Sequence, residues 1–154
     1  MKLKDFVCMD AVVPKLESAD RDGVIAELVT SLSAAGMIPK SRAKEITEAV
    51  IKRENEASTG IGKGVAVPHV KHSSVKNITA AIGCSNSGID FASLDKQPVY
   101  SVILMLSPEN NPDKHLQAME NVFKSLQNDD FRRFLRQSTT AEDIKELLAD
   151  FGDE

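Results

Sequence analysis

The chain has 154 residues, of which 42% are hydrophobic and 27% are charged, a composition typical of a single globular domain spanning residues 1–154. The formal net charge of −4 argues against a general nucleic-acid binder, which would carry a basic excess. No stretch approaches the ~20 consecutive apolar residues that cross a bilayer, and the first residues lack the apolar segment of a secretory signal. Cys8 and Cys84 have no metal-binding spacing, so we expect free thiols in a cytoplasmic protein.

The first part of the chain predicts a short strand followed by a helix. Residues 12–16 fit the strand. Asp20 or Asp22 can cap a helix that runs to about Ala35, and Gly36 suits the position after its end. The apolar residues of this helix recur with the helical period, at Val24, Ile25, Leu28, Val29 and Leu32.

A second helix, capped by Ser41, is expected to end near Glu56. One of its faces carries residues spaced by three and four positions, namely Ile46, Ala49, Val50 and Arg53. A guanidinium at the inward end of a helix can bind phosphoryl oxygens in a bidentate manner. It can also act as a cation that stabilises the helix C-terminus. The sequence leaves both roles of Arg53 open.

A glycine-rich segment follows the second helix. Residues 57–64 end with three glycines in five positions and predict a loop. Residues 65–67 predict a short strand that Pro68 interrupts. Because proline fixes its own φ and restricts the residue before it, the backbone leading to His69 should be stiff. A histidine held in this way is suited to meet a partner's phosphoryl group as a nucleophile with little reorganisation.

Two longer strands are predicted in the middle of the chain, at residues 77–84 and 98–106. The second is nearly all apolar, which is typical of a strand covered on both faces. Helices that alternate with such strands predict an α/β sandwich.

Three helices are predicted in the last third of the chain, at residues 112–127, 129–136 and 141–149. The first begins at Pro112 or Asp113, and Thr140 with Asp143 resembles a capping box for the last. The inner stripe of the first of these helices is expected to be Leu116, Met119, Phe123 and Leu126. His115 would then lie in the first turn, at the edge of this stripe, where a helix N-terminus attracts anions.

The three histidines, His69, His72 and His115, are the candidates for chemistry near neutral pH. His115 could donate a hydrogen bond to a phosphoryl group on His69, or be an ordinary residue at the edge of the core. His72 lies in a polar run that predicts a solvated loop. The three histidines could alternatively hold zinc, but Pro68 and the polar run argue against a helix that presents His69 and His72 together.

The chain resembles enzyme IIA domains of the fructose/mannitol type from the phosphoenolpyruvate-dependent phosphotransferase system, including stand-alone nitrogen-regulatory members. The first matching segment is Arg53-Glu-Asn-Glu-Ala-Ser-Thr-Gly-Ile-Gly-Lys-Gly-Val-Ala-Val-Pro-His69. The second is Leu106-Ser-Pro-Glu-Asn-Asn-Pro-Asp-Lys-His115-Leu116. The resemblance covers about residues 3–148. It implies an α/β fold in which a mixed β-sheet is flanked by helices on both faces, a three-layer sandwich.

The resemblance also implies a phosphotransferase component that forms a phosphohistidine intermediate. His69 matches the phosphorylated histidine, Arg53 the arginine at the phosphorylation site, and His115 the second active-site histidine. The implied donor is an HPr-type phosphohistidine protein, and the implied acceptor is an enzyme IIB cysteine, or none where the protein only regulates a target. We expect no metal or nucleotide cofactor. Because no IIB-like or IIC-like segment is present in this sequence, the nitrogen-regulatory type is favoured over the sugar-specific type.

The glycine-rich segment is expected to support the phosphoryl group. Its hydroxyl and N–H groups could hold the loop or bind oxyanions, and the residues concerned are Ser58, Thr59, Gly60, Gly62 and Gly64. Ile61 and Val70 could form an apolar docking patch for a partner, or be partly buried in the domain itself. The alternative function is a regulatory binding module that transfers nothing further and is switched by the charge of the phosphoryl group.

Overall fold

The computed structural model describes residues 2–151. In these residues three helices are followed by five strands and then by three further helices, so the helices and strands do not alternate along the chain as the sequence predicted. The helices are α1 (Leu3–Phe6), α2 (Arg21–Ala34), α3 (Ala43–Glu56), α4 (Pro112–Leu126), α5 (Asp129–Gln137) and α6 (Ala141–Phe151). The strands are β1 (Gly60–Gly62), β2 (Val65–Ala66), β3 (His69–His72), β4 (Thr79–Ile89) and β5 (Val99–Pro108). Two 3-10 turns, Met9–Ala11 and Lys40–Arg42, precede α2 and α3 respectively.

The strands form one mixed sheet around β5. Strand β4 pairs with β5 antiparallel, while β2 and β3 pair with β5 in parallel, one after the other along its opposite edge. Strand β1 folds back on β2 in an antiparallel hairpin. Pro68 separates β2 from β3, and its carbonyl accepts a hydrogen bond from the Met105 N–H at 3.0 Å. The break therefore leaves His69 at the start of a strand that β5 holds in register.

Helices cover both faces of this sheet, which confirms the predicted three-layer α/β architecture. Along β5, Ile103 and Met105 pack into a core shared with α4, α5 and α6, which we call the α4-side core. Val102, Leu104 and Leu106 pack into a core shared with α2 and α3, which we call the α2-side core. Because successive side chains of a strand point to opposite faces, the nearly continuous apolar run of β5 fills both cores at once.

The N-terminal segment differs from the prediction, because residues 12–16 do not form a strand. Val13 makes an isolated parallel bridge to Gly83 on β4, and the Leu16 N–H donates to the Cys84 carbonyl at 2.8 Å. Between them stands Pro14, which has no N–H to contribute to a continuous ladder.

The predicted N-cap residue is confirmed for α2 but wrong for α3. The Asp20 carboxylate caps α2 by accepting the Gly23 N–H at 2.7 Å, as expected. Ser41 does not cap α3, because it lies within the 3-10 turn that follows Pro39. Arg42 takes the N-cap position there, without a capping side-chain hydrogen bond.

Helix α4 buries Met119 and Leu126 as predicted, but its inner face is rotated away from the rest of the predicted stripe. Leu116 is 58% exposed, and Phe123 is only partly buried. The buried residues are Ala118, Met119, Val122 and Leu126. His115 is spaced three and seven residues before Ala118 and Val122, so it lies on the inner face that Leu116 was expected to occupy.

Two expectations from composition can be compared with the structure. Among residues 2–151, no helix is long and apolar enough to cross a membrane. Both cysteines are free thiols, Cys84 buried and Cys8 partly buried. Burial raises the pKa of the Cys84 thiol to about 11, so this cysteine is protonated at neutral pH.

Candidate functional site

Both the backbone and the ring of His69 are fixed by neighbouring backbone segments. It opens β3 directly after Pro68 and lies opposite Met105 of β5. Its ring Nδ1 is 2.8 Å from the Val67 carbonyl oxygen. A carbonyl oxygen can only accept a hydrogen bond, so Nδ1 carries the proton and Nε2 carries the lone pair. The sequence had not identified this acceptor, because a backbone carbonyl leaves no signature in residue type.

His115 brings a second imidazole to His69 from α4, the helix on the face of the sheet towards which the His69 side chain points. The two ring centroids are 5.7 Å apart, and the ring planes are inclined by 40°. His115 lies in the first turn of α4, and its Nδ1 is 2.7 Å from the Ser107 hydroxyl oxygen at the end of β5. Residues 46 positions apart in sequence therefore meet where β3, β5 and α4 converge.

Burial and positive charge keep both rings neutral near pH 7. Burial lowers the pKa of His69 below its ordinary value of 6.5, with a further lowering by the Arg53 charge and an opposing effect of the Val67 hydrogen bond. Burial, His69 and Lys71 together lower the pKa of His115 to about 4. A neutral imidazole is the form whose ring has a lone pair available for nucleophilic attack.

We therefore expect the ring of His115 to show no titration above about pH 5.5. NMR of the ring protons against pH measures this directly, and the same titration in urea should return a midpoint near the unperturbed value. Because the unfolded chain binds more protons than the native protein between the two pKa values, this histidine makes the protein less stable as the pH falls from 6.5 towards 4. A midpoint near 6.5 in the folded protein would contradict the burial of His115.

Arg53 lies in the last turn of α3, within electrostatic reach of His69. One guanidinium nitrogen donates to the Ala57 carbonyl at 3.0 Å, just beyond the end of its own helix. A guanidinium has five N–H donors, so this bond leaves most of them for a ligand. The helix-end role and the phosphoryl-binding role, which the sequence left as alternatives, are therefore compatible in one side chain.

Glu54 is a part of the site that the sequence analysis missed. It is only 2% exposed, and its two carboxylate oxygens accept the Thr59 N–H at 2.6 Å and the Thr59 hydroxyl at 2.7 Å. A buried carboxylate in α3 thus anchors the start of the glycine-rich segment. In the sequence, Glu54 is a charged residue beside Arg53 on an amphipathic helix, and its type does not distinguish it from the exposed Glu56 two positions later.

The glycine-rich segment is a hairpin rather than the predicted loop. Strand β1 pairs with β2 through a two-residue turn, in which Lys63 and Gly64 both have positive φ, as in the type I′ turns that suit hairpins. Gly62 has φ +96°, a conformation strained for other residues. At Gly60 a Cβ would lie only 2.4 Å from the Ser93 hydroxyl, so this position must lack a side chain.

The hydroxyl groups of Ser58 and Thr59, the two hydroxyl residues of this segment, make hydrogen bonds to other residues of the protein. Ser58 donates to the Phe91 carbonyl at 2.5 Å and accepts the Gly60 N–H at 3.0 Å. Thr59 is bonded to Glu54, and its carbonyl accepts the Val67 N–H at 3.2 Å. This last bond links the anchored segment to the residue whose carbonyl orients His69.

The remaining candidates lie at the margins of the site. His72 ends β3 and is not in a solvated loop as predicted, because its side chain is only 14% exposed and its Nδ1 accepts the Ser74 N–H. It is an odd number of residues from His69, so it points to the other face of the strand. Val70 is partly buried against the α2-side core, whereas Ile61 is 37% exposed. Among residues 2–151, no three His, Cys, Asp or Glu side chains are grouped to hold a metal.

Comparison with known proteins gives relatives of two kinds. A family model described as phosphoenolpyruvate-dependent sugar phosphotransferase system, EIIA 2, matches residues 6–151. The fructose-specific EIIABC component of Bacillus subtilis is 33% identical over 148 residues, which are 96% of this chain and 23% of that protein. The nitrogen regulatory protein of Bradyrhizobium diazoefficiens is 31% identical over 149 residues, which are 97% of this chain and 95% of that protein. The chain thus spans about a quarter of the fructose-specific relative.

The fold agrees with that of a solved relative. The crystal structure of nitrogen regulatory protein IIA-Ntr from Neisseria meningitidis superposes with a TM-score of 0.83 at 25% identity, covering 94% of this chain and 97% of that one. The range matched by the family model includes Arg53, His69 and His115. These findings confirm the resemblance that the sequence motifs indicated. The chain belongs to the EIIA 2 family of the phosphoenolpyruvate-dependent sugar phosphotransferase system.

Proposed function

We propose that this protein is a phosphocarrier that accepts a phosphoryl group on Nε2 of His69 from an HPr-type phosphohistidine protein. The observation that carries the proposal is the hydrogen bond from Nδ1 of His69 to the Val67 carbonyl. It leaves the Nε2 lone pair free, in a neutral ring, beside the second imidazole of His115. Membership of the family supports a phosphotransfer role, and the geometry supports this atom as the acceptor.

In the proposed step, the Nε2 lone pair of His69 attacks phosphorus in line with the phosphorus–nitrogen bond of the donor. A new phosphorus–nitrogen bond forms on His69, the old one breaks, and its electron pair returns to the imidazole of the donor. The Nδ1 proton of His69 stays in place, where the Val67 carbonyl stabilises the positive charge that the ring acquires. No proton has to move to or from His69 during the transfer.

The surrounding groups would act by positioning and by stabilising charge, which are the main requirements of phosphoryl transfer. The unused N–H groups of Arg53 and one N–H of His115 are proposed to receive the phosphoryl oxygens. Lys71 adds a second positive charge besides that of Arg53, and its charge acts on both histidines. The hairpin residues support this arrangement indirectly, because their own donors and acceptors hold the backbone that leads to His69.

Replacing Arg53 with alanine should slow phosphoryl transfer by roughly 10- to 100-fold, the effect of losing a hydrogen bond to a charged group. The fold should persist, because the only hydrogen bond lost among the described residues is the one to the Ala57 carbonyl. Quenched-flow labelling measures the rate, and circular dichroism checks the fold. Arg42→Ala is a matched control, because this exposed arginine precedes the same helix and pairs only with Glu45 in the described structure. Equal rates for the two variants would reduce Arg53 to a cation at the helix end.

The fate of the phosphoryl group has two candidate outcomes, each supported by relatives. The name of the fructose-specific relative joins an A component to B and C components, which supports transfer to an enzyme IIB cysteine. The relatives named nitrogen regulatory protein support a switch, in which the added charge of roughly −1.5 to −2 alters binding to a target. Incubating the phosphorylated protein with enzyme IIB candidates separates the two, because only the first outcome discharges His69.

Intact mass spectrometry after incubation with phosphoenolpyruvate, enzyme I and HPr-type carriers tests the proposal as a whole. One acid-labile phosphoryl group per chain is expected. Absence of label with every carrier would overturn the proposed transfer and favour a binding module that is not phosphorylated.

A further inference from the structure

Ser107 is a buried hydroxyl residue that none of the roles above uses. It lies near the end of β5, is completely inaccessible to solvent, and is opposite Lys71 of β3 in the parallel register. Its side chain points to the α4 side of the sheet, as those of Ile103 and Met105 do. Its oxygen is 2.7 Å from Nδ1 of His115, a short distance for a hydrogen bond.

The direction of this hydrogen bond follows from the surroundings of the hydroxyl. A neutral imidazole has one N–H, which is on Nδ1 or on Nε2. If Nδ1–H donated to Ser107, the hydroxyl proton would need another acceptor, and within residues 2–151 the Ser107 side chain has no other hydrogen bond. A buried O–H without an acceptor is strongly disfavoured. If Ser107 donates to Nδ1 instead, both groups are satisfied and the ring proton is on Nε2.

We propose that Ser107 is a positioning residue that fixes His115 as the Nε2–H tautomer, so that His115 donates a hydrogen bond to the phosphoryl group on His69. This inference rests on the proposed function, because it assigns a role to His115 in stabilising the phosphorylated state. The opposite tautomer would turn a lone pair, rather than an N–H, towards the anionic oxygens.

The two histidines then have complementary roles that the backbone and one hydroxyl impose. The Val67 carbonyl places the proton of His69 on Nδ1 and leaves Nε2 as the nucleophile. The Ser107 hydroxyl does the reverse at His115, where it occupies Nδ1 and leaves Nε2–H as the donor. The two side chains are chemically identical and their ring centroids are 5.7 Å apart. Their hydrogen bonds nevertheless give them different roles, because His69 attacks phosphorus and His115 stabilises the phosphoryl group.

The tautomer can be measured without any phosphoryl donor. Two-bond proton–nitrogen NMR correlation of ¹⁵N-histidine-labelled protein, near pH 7.5, distinguishes the two tautomers of each ring. We expect His115 to be a single Nε2–H tautomer in the wild type and in Ser107→Thr, which keeps the hydroxyl on a side chain that suits a strand. Ser107→Ala should shift the His115 nitrogens towards a mixture of tautomers. Ser101→Ala is the matched control, a serine buried on the same face of β5 that should leave His115 unchanged.

A second measurement follows the phosphorylated protein. Loss of one hydrogen bond to the phosphoryl group should shorten the half-life of phosphorylated His69 by roughly tenfold in Ser107→Ala. Ser107→Thr should restore the wild-type half-life, which a merely structural role of the serine would not predict.

The outcomes separate this inference from the proposed function. An Nδ1–H tautomer of His115 in the wild type, or an unchanged tautomer and half-life in Ser107→Ala, would overturn the role of Ser107 while leaving phosphorylation of His69 intact. A wild-type protein with the expected tautomer but no label from any carrier would overturn the proposed function, and the phosphoryl contact of His115 with it.

Discussion

Replacing His69 with glutamine should abolish phosphorylation completely, with no acid-labile mass gain after incubation with the donor proteins. Glutamine keeps a polar side chain of similar reach, but its amide nitrogen has no lone pair available to attack phosphorus. The fold should survive, because the ring of His69 makes a single hydrogen bond in the described structure, to the Val67 carbonyl. Intact mass spectrometry gives the stoichiometry, and the thermal unfolding midpoint shows whether the variant is folded.

His72→Gln is the matched control for this experiment. His72 lies on the same strand, three residues further on, and its side chain is more buried than exposed. Its side chain contacts Ser74 and Glu45 of α3 rather than His69 or His115. We expect full labelling of this variant at the wild-type rate. Label retained on His69→Gln, or lost from His72→Gln, would show that the phosphorylated residue has been assigned wrongly.

Replacing Glu54 with alanine should lower the free energy of unfolding by about 3 kcal/mol, the largest loss of stability among the variants proposed here. The carboxylate accepts two hydrogen bonds from Thr59, and bonds to charged groups are worth about 1.5–3 kcal/mol each. Removing it leaves two donors of Thr59 buried without acceptors. Urea unfolding monitored by circular dichroism measures the change.

Two further variants sharpen this prediction. Glu56→Ala is the matched control, an exposed carboxylate two residues on in the same helix, for which we expect a change within about 0.5 kcal/mol. Glu54→Gln keeps one carbonyl oxygen as an acceptor and should lie between the two. Because the Thr59 carbonyl binds the Val67 N–H, folded Glu54→Ala should also transfer the phosphoryl group more slowly than Glu54→Gln. Equal stabilities of the Glu54→Ala and Glu56→Ala proteins would refute the anchoring role.

The features predicted correctly from the sequence are those with a strong periodic or local signal. The apolar run of β5 predicted a strand covered on both faces, and Asp20 marked the start of α2. Thr140 and Asp143 do form a capping box, with hydrogen bonds of 3.1 and 3.3 Å between each backbone N–H and the other side chain. In each case residues close in sequence, or a single face, determine the outcome.

The features missed depend on contacts between distant segments. Strand β1 is rich in glycine and has no apolar alternation that would predict a strand. Its hairpin is instead held by hydrogen bonds to Leu94 and Asp95 of a later loop. Leu116 belongs to the same helical period as Met119 and Phe123, and only the packing of α4 on the sheet decides which face is buried. The burial of Glu54 and the contact of Ser107 with His115 are likewise tertiary.

The sequence named candidate residues for the site but not the groups that contact and anchor them. His69, Arg53 and His115 were identified through motif resemblance, since each alone had an ordinary structural explanation. His69 is contacted by a backbone carbonyl and His115 by a serine, while a buried glutamate anchors the hairpin that leads to His69. None of these groups stands out by residue type. Supporting groups of this kind become visible only when the distances to them are known.

The most direct test of the account is to determine which nitrogen atom carries the phosphoryl group. Two-bond proton–nitrogen NMR correlation of the ¹⁵N-histidine-labelled protein, recorded after phosphorylation, identifies both the histidine and the ring atom. The Val67 hydrogen bond predicts that Nε2 of His69 is phosphorylated and that Nδ1 keeps its proton. A phosphoryl group on Nδ1 of His69, or on either nitrogen of His115, would contradict the account.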